Sequence, residues 1–346
     1  HKNSALCDPR EPGQQQGVCT SDEALMPYTS ELDANRRWET LGAGATIVDP
    51  SLQPSSTDEL VVGGEYELLP GARVGATYTR RSLNLAIEDM SRDNGATYFI
   101  GNPGLGFARD FAPYKPQRDY DAVTLFFQKN FADQWLAQAS YTWSSLRGNY
   151  EGLIRSDTGQ LDPNINSDFD LISLLPNRSG PLPADRTHQF KIFGAREFTL
   201  RPNVSINLGA SYRATSGTPY SYLGAHEDYG AGEAFILPRG AAGRLPWSHR
   251  VDGRLALNYR LSRKLTASFS VDVFNLFNFQ APIAYDQNYT FAPVLPIENG
   301  QKGDLTTKLV GTDGEPIDAA SLNKNFGQPT AYQSPRSVRF GARLSF

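Results

Sequence analysis

Oxygen-bearing side chains recur at every second position in one short stretch of the chain, a spacing that could bind a calcium ion. The residues are Asp162, Asn164, Asn166 and Asp168. A calcium loop begins in this way, but it also needs glycine at its tight turn and a bidentate glutamate at its end. This chain has Ser167 and Ser173 at those positions. The alternative is a loop whose Asx side chains bond to its own backbone, so we predict no cofactor.

Three internal histidines are candidates for the base of a nucleophilic enzyme. Two of them directly follow a hydroxyl residue, in the pairs Thr187-His188 and Ser248-His249, and the third is His226. Adjacent residues of a β-strand point to opposite faces, so neither pair can form a catalytic dyad. The chain also lacks a Gly-x-Ser-x-Gly nucleophile motif. The sequence therefore predicts that the protein is not an enzyme.

A third group of candidates consists of charged residues that share the polar face of alternating strands. In a soluble sheet they would form a solvated surface. In a closed barrel they would face the interior and contact whatever fills it. The strand pattern favours the second arrangement. The residues are Lys191, Arg213, Asp252, Arg254, Arg260, Arg339 and Arg343.

The end of the chain has a clear strand pattern, with apolar residues on one face and polar or cationic residues on the other. A period of two is the signature of a β-strand. One apolar face opposite one cationic face fits the wall of a transmembrane barrel, whose outer surface meets lipid. We expect this strand to complete barrel assembly through its apolar residues Val338, Phe340, Leu344 and Phe346.

The same alternation predicts four hairpins before the last strand, with turns at residues 69–72, 130–133, 201–203 and 262–263. The links between hairpins are much longer, at about thirty residues, and the last exceeds about fifty. Short periplasmic turns and long extracellular loops are typical of outer-membrane barrels. The predicted fold is therefore an all-β, antiparallel, up-and-down transmembrane β-barrel, here about nine strands. Aromatic residues near strand ends would form its interfacial girdles, namely Trp143, Tyr150, Trp247 and Phe274.

Composition limits the function classes. The mean hydropathy is −0.44, and the chain has no apolar run long enough for a membrane helix. Hydropathy averaging does not detect barrel strands, because polar residues alternate with apolar ones along each strand. The net charge is −4 without a Lys/Arg cluster, which argues against nucleic acid as a partner.

The two cysteines, Cys7 and Cys19, lie close together in a stretch rich in Pro, Gly and Gln. We interpret them as a loop disulfide in an oxidising compartment. Two free or metal-binding thiols are the alternative. Residues 1–56 show no strand pattern and are expected to form a long extracellular loop, followed by barrel strands over residues 57–346. Because the sequence begins at His1, either a signal peptide was removed or this is a piece of a longer chain.

Four stretches resemble the TonB-dependent outer-membrane receptors. Residues 271–278 (VDVFNLFN) resemble the motif found shortly before the last strand of these receptors, and residues 335–346 (PRSVRFGARLSF) resemble that last strand. Residues 57–60 (TDEL) and 180–191 (GPLPADRTHQFK) are similar to the Oar-like, OmpA-related branch. The resemblance covers the chain from about residue 50 to its end and matches the carboxyl-terminal part of the barrel.

The resemblance implies a barrel of about 22 strands closed around a plug domain, in the outer membrane of a Gram-negative bacterium. Its partners would be outer-membrane lipid, the plug, the remaining barrel strands and TonB, which would act through a missing amino-terminal part. Other outer-membrane or surface proteins are further expected partners. The charged inner residues would dock the plug in preference to contacting substrate directly.

Two functions remain open. In the first, the protein is part of a receptor that moves or binds a large ligand through a plugged barrel. In the second, it is a structural or adhesive barrel whose extracellular loops bind partners without transport. Loops rich in tyrosine and glycine, such as residues 220–224, suit recognition in either case.

Overall fold

The computed structural model describes residues 47–152 and 167–346 of the chain. Nine long strands form one antiparallel meander in which each strand pairs with the next along the chain, as predicted. The two cysteines and Asp162, Asn164 and Asn166 lie outside the described residues. We number the strands in chain order: β1 Ser56–Leu69, β2 Ala72–Leu85, β3 Arg118–Ala132, β4 Trp135–Gly148, β5 His188–Arg201, β6 Val204–Thr215, β7 Ser248–Arg260, β8 Thr266–Phe274 and β9 Ser337–Ser345.

Very short turns join the strands in pairs at one end of the sheet. They contain Pro70-Gly71, Asp133-Gln134, Pro202-Asn203 and residues 261–265. Asp133 and Gln134 both have positive φ, 53° and 67°, as a two-residue hairpin with the twist of its strands requires. The sequence places this turn slightly earlier, at residues 130–133. β3 extends to Ala132 because its pairing with β4 shifts register between Lys129 and Ala132.

One face of this sheet is apolar and exposed. Its residues include Leu60, Ile192, Leu208 and Leu255, each at least half exposed, and Phe340 is 77% exposed. Alternation places these side chains on one face, while most charged and hydroxyl residues occupy the other. No second layer of the described residues covers the apolar face. Lipid covers such a surface, so the sheet is the wall of a transmembrane β-barrel, and the predicted fold class is confirmed.

The length of the strands matches a membrane. In β7, ten residues separate His249 from Tyr259, two aromatic positions on the apolar face. That separation is roughly 33 Å along a strand at about 3.3 Å per residue. With a strand tilt of about 40°, it corresponds to about 25 Å along the membrane normal, the height of the apolar band of outer-membrane barrels.

The described strands form part of a barrel. β1 and β9 stand at the two ends of the strand order, and each pairs on one side only among the strands that the structure describes. Every residue of β1 is exposed. Further strands beside β1 and β9 are therefore needed to close the wall, because an open strand edge leaves unpaired backbone groups in lipid.

The long connections at the other end of the sheet fold against one another. Two clusters of buried apolar residues hold them, one around Met90, Phe111 and Phe169 and the other around Ile236 and Leu237. No helix of the described chain is long and apolar enough to cross a membrane. The short strands there are Ile47–Val48, Glu88–Met90, Phe99–Gly101, Gly180–Pro181, Pro219–Tyr220, Leu223–His226, Gly230–Phe235, Gly243–Arg244, Pro282–Tyr285, Asn288–Pro293 and Pro329–Tyr332, and the 3₁₀ helices are Gly106–Tyr114, Ile172–Leu174, Lys302–Thr306 and Ala319–Ser321.

Two of the four residues expected in aromatic girdles lie elsewhere. Tyr150 is buried in the first loop cluster, and Phe274 shares the polar face with Asp272. Trp143 and Trp247 are exposed, as expected of girdle residues, and the Trp247 ring stacks on His188 at 5.7 Å. Phe274 is at the end of a strand, and that position does not decide which face its side chain occupies, whereas Tyr150 follows the end of β4 and packs in the loop.

Candidate functional site

The polar, inner face of β5–β9 carries an excess of positive charge. The cross-strand register places all seven predicted residues on this one face and adds Arg250, Glu197 and Asp272 to it. These ten residues comprise seven cations and three carboxylates. On β1–β4 the charges are closer to balance, since Arg73 pairs with Glu65 and Arg81 with Glu59.

Asp272 neutralises two of these cations. Its Oδ1 lies 3.3 Å from Arg254 Nη1, and its Oδ2 lies 3.0 Å from Arg339 Nη2. The two arginines approach from the strands on either side, β7 and β9. The guanidinium groups of Arg250 and Arg339 also lie over the Phe274 ring, at 5.7 and 5.3 Å from its centroid. Arg254 and Arg339 therefore serve the packing of β7, β8 and β9 together.

Asp252 is also engaged within the wall. Its Oδ1 accepts hydrogen bonds from Arg250 Nε and from the backbone N–H of Asn275, both at 2.8 Å. The buried Asn275 side chain in turn donates to the carbonyls of Phe279 and Ser334, at 2.8 and 2.9 Å. Asn275 thus ties the two ends of the last long loop, which explains an asparagine at this point of the VDVFNLFN stretch.

Lys191, Arg213 and Arg250 form a row of cations on three neighbouring strands. The register pairs Lys191 with Arg213, and Arg213 with Arg250 on the next strand. Within residues 47–152 and 167–346, neither the side chain of Lys191 nor that of Arg213 has a hydrogen-bond or ion-pair partner. Like charges directly opposite each other destabilise a sheet unless something neutralises them. This row is therefore suited to an anionic partner.

A concave region of about 580 Å³ lies over this row. Its charged lining consists of Lys191, Arg213, Arg250 and Asp252, and Phe126 and Phe193 supply aromatic surface. The Phe126 ring lies against Gly75 on the neighbouring strand, where a β-carbon would be 2.4 Å from the ring. Arg260 and Arg343 lie apart from this region, opposite Thr266 and Ser268, at the end of the sheet with the short turns.

Of the four calcium-loop candidates, only Asp168 lies within the described residues, and its carboxylate has a different partner. Asp168 is fully buried and accepts a hydrogen bond from the guanidinium of Arg178, which is also fully buried. Arg178 further contacts Glu233 and the carbonyl of Leu174. Among the described residues no group of His, Cys, Asp and Glu side chains could hold a metal ion.

Two buried carboxyl groups connect the loops. Asp170 accepts a 2.6 Å hydrogen bond from Tyr229, whose hydroxyl also lies 2.7 Å from that of Tyr98. Burial raises the pKa of Asp170 to about 7. The Glu88 carboxyl group is hydrogen-bonded to the Tyr150 hydroxyl, and burial raises the pKa of Glu88 to about 8. Three separate loops thus meet at groups that can bind a proton near neutral pH.

The three histidines within the described residues do not form catalytic dyads. His226 Nε2 lies 3.0 Å from Ser173 Oγ, but its Nδ1 accepts the backbone N–H of Asp228. In a neutral imidazole this leaves the proton on Nε2, so that this nitrogen cannot act as a base toward Ser173. His188 and His249 pair instead with the hydroxyls of Tyr141 and Tyr212.

Sequence reasoning missed Asp272, Arg250, Glu88 and Asp170. Assigning every residue of each strand to one face or the other by its alternation would have identified Asp272 and Arg250. Asp272, for example, shares the polar face of β8 with Ser268 and Ser270. The two loop carboxyl groups leave no such signal. Their pKa values depend on packing between distant segments, which a local pattern does not encode.

A curated relative is similar along nearly the whole chain. The TonB-dependent transporter Oar of Myxococcus xanthus is 50% identical over 350 residues, which cover 98% of this chain and 33% of that protein. The chain thus spans about a third of the length of this relative. No family model matches the chain.

Two of the similar solved structures are each 13% identical to this chain. The ferric-catecholate import receptor Fiu of E. coli K12 aligns with 85% of this chain and 28% of its own, with a TM-score of 0.43. The outer-membrane transporter YddB of Escherichia coli aligns with 68% of this chain and 30% of its own, also with a TM-score of 0.43.

Proposed function

Because this chain belongs to the Oar-like branch of the TonB-dependent outer-membrane receptors, we propose that its inner wall holds the plug of an energised transporter. The chain lies in the outer membrane of a Gram-negative bacterium and forms part of the wall of a transmembrane β-barrel. In this proposal the whole protein moves a large ligand through the barrel, and TonB acts on a part that precedes the sequence described.

The observation that carries the proposal is the row of like charges on β5–β7. Lys191, Arg213 and Arg250 lie side by side, and Asp252 is the single carboxylate of the concave region over them. In the low dielectric of a filled lumen such a row is stable only when a partner brings negative charge. Carboxylates of a plug domain would satisfy it and would fix the plug in one orientation.

A plug held by charge can also be released. Ion pairs between a wall and a movable domain are formed and broken without loss of the wall itself, because the strands keep their own backbone hydrogen bonds. Asp272 and Asp252 hold Arg254, Arg339 and Arg250 within the wall. Of the inner cations that neither carboxylate holds, Lys191 and Arg213 lie under the concave region, whereas Arg260 and Arg343 lie apart from it.

Charge reversal in the full-length protein tests this function. The double variant Lys191→Glu and Arg213→Glu is expected to loosen the plug and to increase cell sensitivity to vancomycin, a large antibiotic that an intact outer membrane excludes. The matched control is Arg263→Glu, a charge reversal in an exposed turn outside the lumen. Unchanged sensitivity, with a normal amount of folded barrel in the membrane, would rule out plug docking at this row.

Adhesion is the second candidate function, and one observation favours it. The loops have two buried apolar clusters of their own and two buried arginines, Arg178 and Arg239. A loop surface supported by its own packed core is suited to binding a partner without transport. The two functions separate in cells that lack TonB, where adhesion would persist and energised transport would stop.

A further inference from the structure

A second cavity lies on the inner face near the loop ends of β1–β4. It measures about 420 Å³, a size typical of small-molecule sites. Two arginines, Arg81 and Arg118, and two tyrosines, Tyr120 and Tyr150, line it together with Leu83 and Leu146. It is distinct from the concave region over Lys191, which shares none of these residues.

The two arginines of this cavity differ in whether a neighbouring carboxylate compensates their charge. Arg81 donates from Nε and Nη2 to Glu59 Oε2, at 3.2 and 2.9 Å, so its charge is compensated. In the parts of the chain that the structure describes, the guanidinium of Arg118 has no hydrogen-bond or ion-pair partner. The Tyr120 hydroxyl likewise has no partner there. Arg118 therefore supplies an uncompensated cation beside a free hydroxyl donor.

The backbone leaves room for the Arg118 guanidinium. Gly152 has a φ of 107°, which favours glycine, and a β-carbon there would lie 3.0 Å from Arg118 Nη1. Behind the cavity, Tyr150 is bonded to Glu88. The raised pKa of Glu88, about 8, leaves most of this carboxyl group neutral at pH 7, so it opposes an incoming anion only weakly.

We propose that this cavity binds an organic anion whose carboxylate or phosphate group contacts Arg118 and Tyr120. The apolar part of the ligand lies against Leu83, Leu146 and the ring of Tyr150. A guanidinium binds both oxyanions by charge-assisted hydrogen bonds. The inference rests on the proposed receptor function, since it names the chemical class of ligand for it, but binding itself requires neither TonB nor a plug that moves.

Phenyl phosphate is the probe for this site, and the full-length protein in detergent is titrated with it by saturation-transfer NMR. Saturable binding is expected, and Arg118→Gln is expected to raise the Kd at least about tenfold. Tyr120→Phe, which keeps the ring, is expected to raise it about threefold. Arg263→Gln removes the same charge from an exposed turn and should leave the Kd unchanged.

Two smaller probes test the two halves of the ligand. Inorganic phosphate and benzyl alcohol should each compete weakly with phenyl phosphate, because each reaches only one part of the cavity. Equal Kd values for Arg118→Gln and the unaltered protein, in samples whose barrels migrate normally on unheated gels, would refute the site. So would benzyl alcohol that binds as tightly as phenyl phosphate. Either result would leave plug docking at Lys191 and Arg213 untouched, since vancomycin sensitivity measures that separately.

Discussion

Asp272 and Arg339 lie directly opposite each other on β8 and β9, with the Asp272 Oδ2 3.0 Å from both Nε and Nη2 of the arginine. β8 is the only strand that pairs with β9 in the described part of the barrel. A slip of one residue would turn Phe340 and Leu344 toward the lumen and the arginines toward lipid. The ion pair therefore supports the register on which the alternating faces depend.

The first prediction concerns this carboxylate. Asp272→Asn removes the charge shared by Arg254 and Arg339 and should lower the free energy of unfolding by about 1 kcal/mol, a modest value because both arginines are more than half exposed. Urea titration of the gel mobility of the unheated barrel measures it. Ser268→Ala, on the same face of β8, is the control and should leave the midpoint in place. Equal midpoints for both variants would contradict the role given to Asp272.

The second prediction separates two contributions of Asn275. This buried residue has a φ of 51°, and its side chain bonds to Phe279 and Ser334. Asn275→Gly keeps the backbone conformation but loses the side-chain bonds, whereas Asn275→Ala loses both. We expect a loss of about 2 kcal/mol for glycine and about 1 kcal/mol more for alanine. The urea midpoints of the two variants give the difference. If alanine is no worse than glycine, backbone strain plays no part.

The sequence is sufficient to predict the barrel wall because the alternation of apolar and polar residues in barrel strands is a local pattern. Alternation in residues 337–346 and in the four hairpins predicts nine strands, their faces and their turns to within a few residues. The loops follow no such rule. Tyr150 carries the signal of a girdle residue and yet belongs to a loop core, because its surroundings come from Phe169 and Met90, far away in the sequence.

The candidate site, like the fold, could be predicted from the sequence only in part. Parity alone places Lys191 and Arg213 on the inner face, but it does not show that Arg254 is bound to Asp272 whereas Lys191 is not. That difference depends on which residues of neighbouring strands are in register. Pairing between strands involves turn lengths and bulges, which the alternating pattern of one strand does not contain.

The third prediction is a pH dependence of the loops. Folding raises the pKa of Glu88 from 4.5 to about 8 and that of Asp170 from 3.8 to about 7. The folded loops therefore hold more protons than the unfolded chain between pH 4 and 8, and their stability falls as pH rises through this range. Above about pH 8 both groups are charged in both states, and the loss is complete. Hydrogen exchange of residues 86–117 should accelerate between pH 6 and 8.5, after correction for intrinsic rates.

The matching control for this prediction is Glu88→Gln. Glutamine keeps the shape and a hydrogen bond to Tyr150 but does not titrate, so the part of the pH dependence that belongs to Glu88 should disappear. Asp304 serves as a reference, because it lies in another loop and its pKa is lowered rather than raised. Corrected exchange rates that stay constant with pH in the unaltered protein would contradict the assignment.

The last prediction distinguishes the stability of the loops from that of the barrel. Arg239 lies 4.5 Å over the Phe235 ring, donates to the carbonyl of Arg178 at 2.7 Å and pairs with Glu151. Arg239→Met removes the charge from a buried pair and should destabilise the loops locally by about 3–5 kcal/mol. Trypsin should then cleave these loops faster, while the urea midpoint of the barrel changes little, because the strands keep their own hydrogen bonds. Arg92→Met, which removes an exposed pair with Asp110, is the control and should leave the cleavage rate nearly unchanged. Equal cleavage of both variants would show that the buried pair does not hold the loops together.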